Sequence, residues 1–143
     1  MISIYSDQHI DEVYKIEEES FNNPWIKPQF LRYSSGFNES MSYIYSQGSI
    51  ITGYLMAETI LDEVHIHNIV VKRAFRNNSI AKKLIHHLID KSKICNKNKV
   101  CLEVNCSNIL ALKLYESFGF IEVGKRKKYY QDGKDAILMD LYI

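Results

Sequence analysis

The sequence predicts an α/β (α+β) fold: a mixed sheet of six to seven strands with helices on both faces. Three observations predict it. Period-two apolar runs and helical-period runs follow one another in the order strand, helix, helix, three strands, helix, strand, helix, two strands. Strand–helix–strand crossovers fall in the second half and a tight hairpin in the first, so parallel and antiparallel pairs must mix. At 143 residues, one core suffices, burying roughly 68–70% of the surface of the unfolded chain, and 1–143 reads as a single domain without repeats or linkers.

The elements follow in order. Ile2 and Ile4 alternate with polar neighbours as a short strand does, and Asp7 precedes Ile10, Val13, Tyr14, Ile16 and Glu17 at helical spacing. Phe21-Asn22-Asn23-Pro24-Trp25 ends that helix, because proline cannot continue it, and Pro28 to Tyr33 offers a second helix with proline in its first turn. Ser42–Tyr45 and Ile50–Ile60 are rich in β-branched and aromatic residues around Gln47-Gly48, which predicts a hairpin. Val64, Ile66 and Ile69 to Val71 continue as a strand whose apolar phase changes near His67-Asn68, the mark of a bulge. Ile80, Leu84, Ile85 and Leu88 form a helical stripe. In Val100 to Asn105, Leu102 and Val104 face one way and Glu103 and Asn105 the other. Asn108 starts a helix carrying Leu110, Leu112, Leu114 and Phe118, and Gly119 ends it at C′. Phe120, Val123, Tyr129 and Tyr130 read as a strand, Gln131 to Lys134 as a turn, and Ala136 to Tyr142 as the last strand.

Composition narrows the function classes. An apolar fraction of 46%, a charged fraction of 24% and a formal charge of +1 are those of an ordinary globular protein, and they argue against a general binder of nucleic acid or membrane surfaces. Cys95, Cys101 and Cys106 are odd in number, two in one apparent strand and one at a helix end, which argues for reduced thiols. No apolar run approaches membrane-spanning length and the N-terminus lacks a leader pattern, so the protein is read as cytoplasmic. His65 and His67 lie two apart on a strand, but no cysteine or carboxylate cluster has ligand spacing with them, so no metal is expected. Lys125 to Lys128 with Tyr129-Tyr130 reads as a solvated strand end, and in the rival reading as a run that tracks RNA or an acidic substrate segment.

The stretch from Asn68 to Leu84 organises the rest. An apolar strand breaks into Lys72-Arg73-Ala74-Phe75-Arg76-Asn77-Asn78-Ser79 and then into a helix, with Asn78 or Ser79 where an N-cap is wanted. Such a start presents unpaired backbone N–H groups and favours anions, phosphates above all. Asn108, Leu112 and Tyr115, spaced i, i+4, i+7, share one face of a later helix.

Arg76 to Ala81, followed by a strand and the run Asn108…Leu114-Tyr115-Glu116-Ser117-Phe118-Gly119-Phe120, resembles the GNAT N-acetyltransferase superfamily. Leu102 to Asn108, Asn23-Pro24-Trp25 and Arg126…Tyr129-Tyr130…Asp135 to Met139 resemble, within it, the bacterial ribosomal-protein-alanine N-acetyltransferases of the RimI type. The resemblance implies a V-shaped opening between strands 4 and 5 that takes acetyl-CoA, and transfer of acetyl to the alanine N-terminus of the eighteenth protein of the small ribosomal subunit. It implies that backbone groups of Ile69, Val70 and Val71 bond the pantetheine arm. It further implies that amides of Asn77, Asn78, Ser79, Ile80, Ala81 and Lys82 hold the pyrophosphate, with Asn108 a further cofactor contact. Glu103 is carried to the general base and Tyr115 to the general acid. Pattern alone reads the first as a solvent-facing strand residue and the second as a half-buried core tyrosine. Trp25, Tyr33, Tyr129 and Tyr130 would line the peptide cleft, with core packing the alternative for each. Charge from Arg73, Arg76, Lys82 and Lys83 would assist the cofactor loop.

The pattern Q/R-x-x-G-x-G/A is kept at Arg76 and Ala81 and broken at Ser79, which replaces the first glycine. A serine fits there only with negative φ and its Cβ clear of the pyrophosphate. The rival readings are a GNAT enzyme acting on lysine or a small metabolite, an inactive CoA-binding interaction domain that Ser79 keeps open, and an RNA-binding module.

Overall fold

In the computed structural model, residues 1–34 and 40–143 are described. The chain runs β1 (Ile2–Ile4), α1 (Ile10–Ser20), α2 (Lys27–Leu31), β2 (Tyr43–Gln47), β3 (Ile50–Ile60) and β4 (Glu63–Val71). It continues through α3 (Ile80–Ile94), β5 (Lys99–Asn105), α4 (Ile109–Ser117), β6 (Ile121–Arg126) and β7 (Ala136–Tyr142). Among the described residues the strands form one sheet in the order β1-β2-β3-β4-β5-β7-β6. Only β4 and β5 pair in parallel; the other neighbours are antiparallel. The parallel pair is the one joined through α3, as a crossover requires.

Each face of the sheet carries its own core. On one side Ile80, Leu84, Ile85 and Leu88 of α3 pack with Leu55, Val64, Leu102 and Tyr115. On the other, Val13 and Ile16 of α1 and Phe30 of α2 pack with Tyr5, Tyr54, Met56 and Val70. The assignment follows the strand period: Tyr54 and Met56 face α1 and α2, Leu55 and Ala57 face α3.

Local features agree with their sequence signals. The expected phase change in β4 is a bulge: Met56 pairs with Asn68 and Ala57 with Ile66, so His67 is the extra residue. Val64 and Ile66 before it, and Ile69 and Val71 after it, therefore reach the same core. Gly119 takes φ +98° just past α4, as a C′ glycine does. Gly53 is needed for close approach, since a Cβ there would lie 3.0 Å from Cγ2 of Ile80 and 3.1 Å from the Val70 carbonyl oxygen. The first residue of α3 is thereby seated on β3.

Other expectations need correction. Tyr129 and Tyr130 are not in a strand, because β6 stops at Arg126. Lys128 turns to φ +49°, its N–H bonds the Asp135 carboxylate at 2.9 Å, and the chain bends early. Cys106 falls just past the end of β5, and all three cysteines are free. The helix expected from Asn108 is present as α4, with Leu110 at 83% exposure and Tyr115 on the buried face.

Candidate active site

The sheet opens at its centre. The parallel ladder pairs Glu63, Val64, His65 and Ile66 with Lys99, Val100, Cys101 and Leu102, and stops there. Beyond it β4 continues to Val71 paired only with β3, and β5 continues to Asn105 paired only with β7. The bulge at His67 sits at the point of divergence and twists β4 away. The edge of Ile69, Val70 and Val71 that faces β5 is thus left without a strand partner among the described residues; the Val71 carbonyl accepts from Arg76 Nε at 3.0 Å, and the rest of the edge is available to an extended ligand. A cavity of about 230 Å³ occupies the gap, lined by Asn68, Ile69, Glu103, Asn108, Tyr115 and Tyr130 among others.

Glu103 and Tyr115 enter this gap from opposite sides. Glu103 is the first β5 residue past the ladder, and its alternation with buried Leu102 and Val104 turns it to the face of α1 and α2. It also lines a larger cavity of about 640 Å³ on that face, with Trp25, Arg126, Tyr129 and Tyr130. Arg126 Nε donates to Glu103 Oε1 at 2.8 Å, fixing the carboxylate and leaving Oε2 without a donor among the described residues. The basic run is therefore not wholly solvated: Arg126 serves the carboxylate, and its guanidinium lies 5.4 Å from the Tyr129 ring centroid. Tyr115 comes from α4 on the other face, 6% exposed. Burial, and then Tyr130, push its phenol up to about 12. Its hydroxyl has no hydrogen-bond partner among the described residues, so a proton is held there and directed at nothing of the protein's own. Tyr130 is likewise pushed up to about 12, by burial first and by the Glu103 carboxylate second.

The loop before α3 forms a third hollow of about 440 Å³, lined by Arg76, Asn77, Ser79, Ala81 and Lys82 with Val71 and Leu114 behind. Ser79 is the N-cap residue, but its side chain makes no cap bond, so the first-turn N–H groups stay open toward the hollow. The expectation of negative φ at Ser79 is overturned: φ is +60° and ψ 21°, the conformation a glycine would supply. The loop imposes it. Asn77 is already left-handed at φ +66°, Asn78 Nδ2 bonds the carbonyls of Phe75 at 3.1 Å and Arg76 at 3.3 Å, and the close seat of Ile80 on Gly53 fixes the exit. Arg76 and Lys82 flank the hollow, whereas Lys83 turns to the Tyr45 hydroxyl and Arg73 lines a separate surface hollow with Glu19. Asn108 caps α4, its side chain accepting from the Ala111 N–H at 3.2 Å, and still borders the central gap.

Sequence reasoning missed the glutamate that holds these parts in place. Glu17 is 2% exposed and accepts from Tyr54 Oη at 2.6 Å, Asn68 Nδ2 at 2.7 Å and the Trp25 N–H at 2.9 Å. One buried carboxylate thus ties α1, the Trp25 turn, β3 and the bulge together. Its signal was an acidic residue one position after Ile16 on the apolar stripe of α1, hidden among Glu17-Glu18-Glu19. Trp25 stacks on Tyr33 with centroids 5.4 Å apart. Tyr33 itself, 4% exposed, packs in the core behind Trp25 and borders none of these hollows.

His65 also differs from expectation. Glu63 and Cys101 stand beside it, with donor atoms of the three residues mutually within 4.8 Å, because Glu63 shares its strand face and Cys101 is its cross-strand partner. No spacing within one segment could reveal a pairing made between strands. Burial, above all, pushes the Cys101 thiol up to about 12, so it carries its proton at neutral pH. Burial also lowers the pKa of His67, which keeps that imidazole neutral.

Comparisons with known proteins meet this geometry. A family model described as an acetyltransferase (GNAT) domain matches residues 2–143. The ribosomal protein bS18-alanine N-acetyltransferase of Haemophilus ducreyi is 33% identical over 150 residues, covering 100% of both chains. The crystal structure of the ribosomal-protein-S18-alanine N-acetyltransferase from Escherichia coli has a TM-score of 0.94 at 30% identity, covering 100% of this chain and 93% of that one. Arabidopsis thaliana NAA60 in complex with acetyl-CoA, 19% identical with a TM-score of 0.89 and covering 100% and 99% of the two chains, shares the fold.

Proposed function

This chain belongs to the GNAT acetyltransferase family, and we propose that residues 1–143 act as one cytoplasmic domain that acetylates the N-terminal α-amine of ribosomal protein bS18 at its alanine. Relatives covering the full chain are named for that acceptor, and no helix among the described residues is long and apolar enough to cross a membrane. The observation that carries the reading is the gap between β4 and β5, where Glu103 and Tyr115 line one cavity from opposite faces of the sheet.

The chain fits acetyl-CoA on two observations. The first-turn amides of α3 are open, flanked by Arg76 and Lys82, which suits a pyrophosphate. The edge of Ile69 to Val71 past the ladder suits an amide-bearing arm, with a backbone N–H there positioned to stabilise the oxyanion. When bound, acetyl-CoA supplies the activated acyl group. The α-amine has an ordinary pKa of about 7.7–8.0 against about 10.4 for lysine, so deprotonating it at pH 7 costs about 3.5 kcal/mol less. One carboxylate is base enough: Glu103, acting through water with Oε2, takes the ammonium proton, and Arg126 holds Oε1 in place. Tyr115 keeps its proton at neutral pH and delivers it to the departing thiolate sulfur. Trp25, Tyr129 and Tyr130 around the larger cavity hold the acceptor chain, with Tyr33 supporting Trp25 from the core.

Initial rates on an amine panel test the assignment. An alanine-initiated bS18 peptide should accept acetyl far faster than the same peptide with a blocked N-terminus or than free lysine. Equal rates would refute N-terminal specificity.

A further inference from the structure

We infer that Glu63, His65 and Cys101 form a zinc-class metal site on the floor of the larger cavity. The three donors come from the two central strands of the sheet, and His65 and Cys101 are direct partners in the parallel ladder. Glu63 sits two residues before His65 on the same strand face. The site therefore stands on rigid backbone, and its side chains converge on one atom. His65 Nε2 lies 2.9 Å and Cys101 Sγ 3.7 Å from Glu63 Oε2. Tetrahedral zinc with sulfur, nitrogen and oxygen ligands places such donors roughly 3.3–3.6 Å apart, so a cation enters by small side-chain rotations. One thiolate, one imidazole and one carboxylate make a borderline-soft set that selects zinc over magnesium or calcium, and three protein ligands leave a fourth position for water.

The surroundings suit a divalent charge. Lys99 Nζ holds the other carboxylate oxygen, Glu63 Oε1, at 3.1 Å and bridges to Asp140 Oδ2 at 3.3 Å. It thereby aims Oε2 at the other two ligands without occupying it, as a partner outside the ligand set does. The groups facing the site are Lys99, Asp140 and His67. When a cation displaces the Cys101 proton, the cluster of Glu63, Asp140, Cys101 and Lys99 carries two net negative charges, which the divalent charge neutralises. Cys101 and Glu103 border the same cavity. On the acetyltransferase reading, with which this consequence stands or falls, a bound cation blocks the acceptor's path.

Cobalt(II) added to metal-stripped protein is the test, because its spectrum needs no turnover. The expected result is a thiolate-to-cobalt charge-transfer band with the strong ligand-field bands of a tetrahedral site, abolished by zinc. Cys101→Ser should remove the charge-transfer band and weaken zinc at least about tenfold, while Cys95→Ser and Cys106→Ser retain both. Glu63→Gln should weaken zinc without removing the band. Zinc should also raise the Tm of wild type and not of Cys101→Ser, and lower wild-type acetylation in step with occupancy. The site is overturned by the absence of a charge-transfer band, or by one that survives Cys101→Ser. Zinc binding without loss of rate would overturn the blocking of the acceptor path alone.

Discussion

At the scale of the residue, the proposed chemistry rests on two side chains and one backbone angle. Tyr115 offers a clean separation of catalysis from stability, since its hydroxyl bonds nothing among the described residues. Tyr115→Phe should lower kcat by roughly 10²–10⁴ with the Tm nearly unchanged, and Glu103→Gln should lower it by a similar factor. A phenol held protonated to about pH 12 also fixes the pH profile. The rate should rise as the amine deprotonates near about pH 8 and then stay flat to about pH 10, so a falling limb near neutrality would remove Tyr115 as the acid. Ser79 bears the strain of the cofactor loop. A non-glycine residue in the left-handed region costs roughly 1–2 kcal/mol, and glycine loses about 0.4–1 kcal/mol more entropy on folding. Ser79→Gly should therefore stabilise the protein by up to about 1.6 kcal/mol and tighten CoA, both readable in one calorimetric series; weaker CoA binding would show that the serine is used. The roles proposed for Glu103 and Tyr115 are legible only through the family motif. The angle at Ser79 has its only sequence signal in the glycine that the family pattern places there; the serine itself points to negative φ, and the loop around it, not the residue, sets φ.

At the scale of the element, the loop and α3 are placed by how tightly α3 meets the sheet. Gly53 admits Ile80, and a methyl group there would meet the Val70 carbonyl at 3.1 Å, backbone that cannot yield cheaply. Gly53→Ala should cost roughly 1–3 kcal/mol by overpacking and lift the start of α3, weakening CoA while acceptor affinity holds. A variant with unchanged CoA affinity would mean that the hollow does not depend on that seat. Element types and order were legible from periodicity, including the bulge, since Val64, Ile66, Ile69 and Val71 change phase in the sequence itself. What periodicity cannot carry is pairing across strands. The cluster of Glu63, His65 and Cys101, the clasp of Arg126 on Glu103, and the three bonds converging on Glu17 all join residues distant in the chain. Tyr129 and Tyr130 were misplaced into a strand for the complementary reason: their β propensity was overruled by the turn that Lys128 and Asp135 close.

At the scale of the whole molecule, the proposed reaction uses one sheet with a gap at its centre, open to both faces. The α3 and α4 side presents the anion-ready loop and Tyr115; the α1 and α2 side presents the larger cavity, Trp25 and the outward face of Glu103. Glu17 joins the two by fixing both the Trp25 turn and the bulge at which β4 departs. The central claim is that this arrangement acetylates the bS18 N-terminus. Its most direct test is the intact mass of bS18 from cells with and without this protein. The mass should be greater by one acetyl group, located on the N-terminal alanine, only where the protein is present. An unmodified alanine in both, or equal acetylation in both, would contradict the claim.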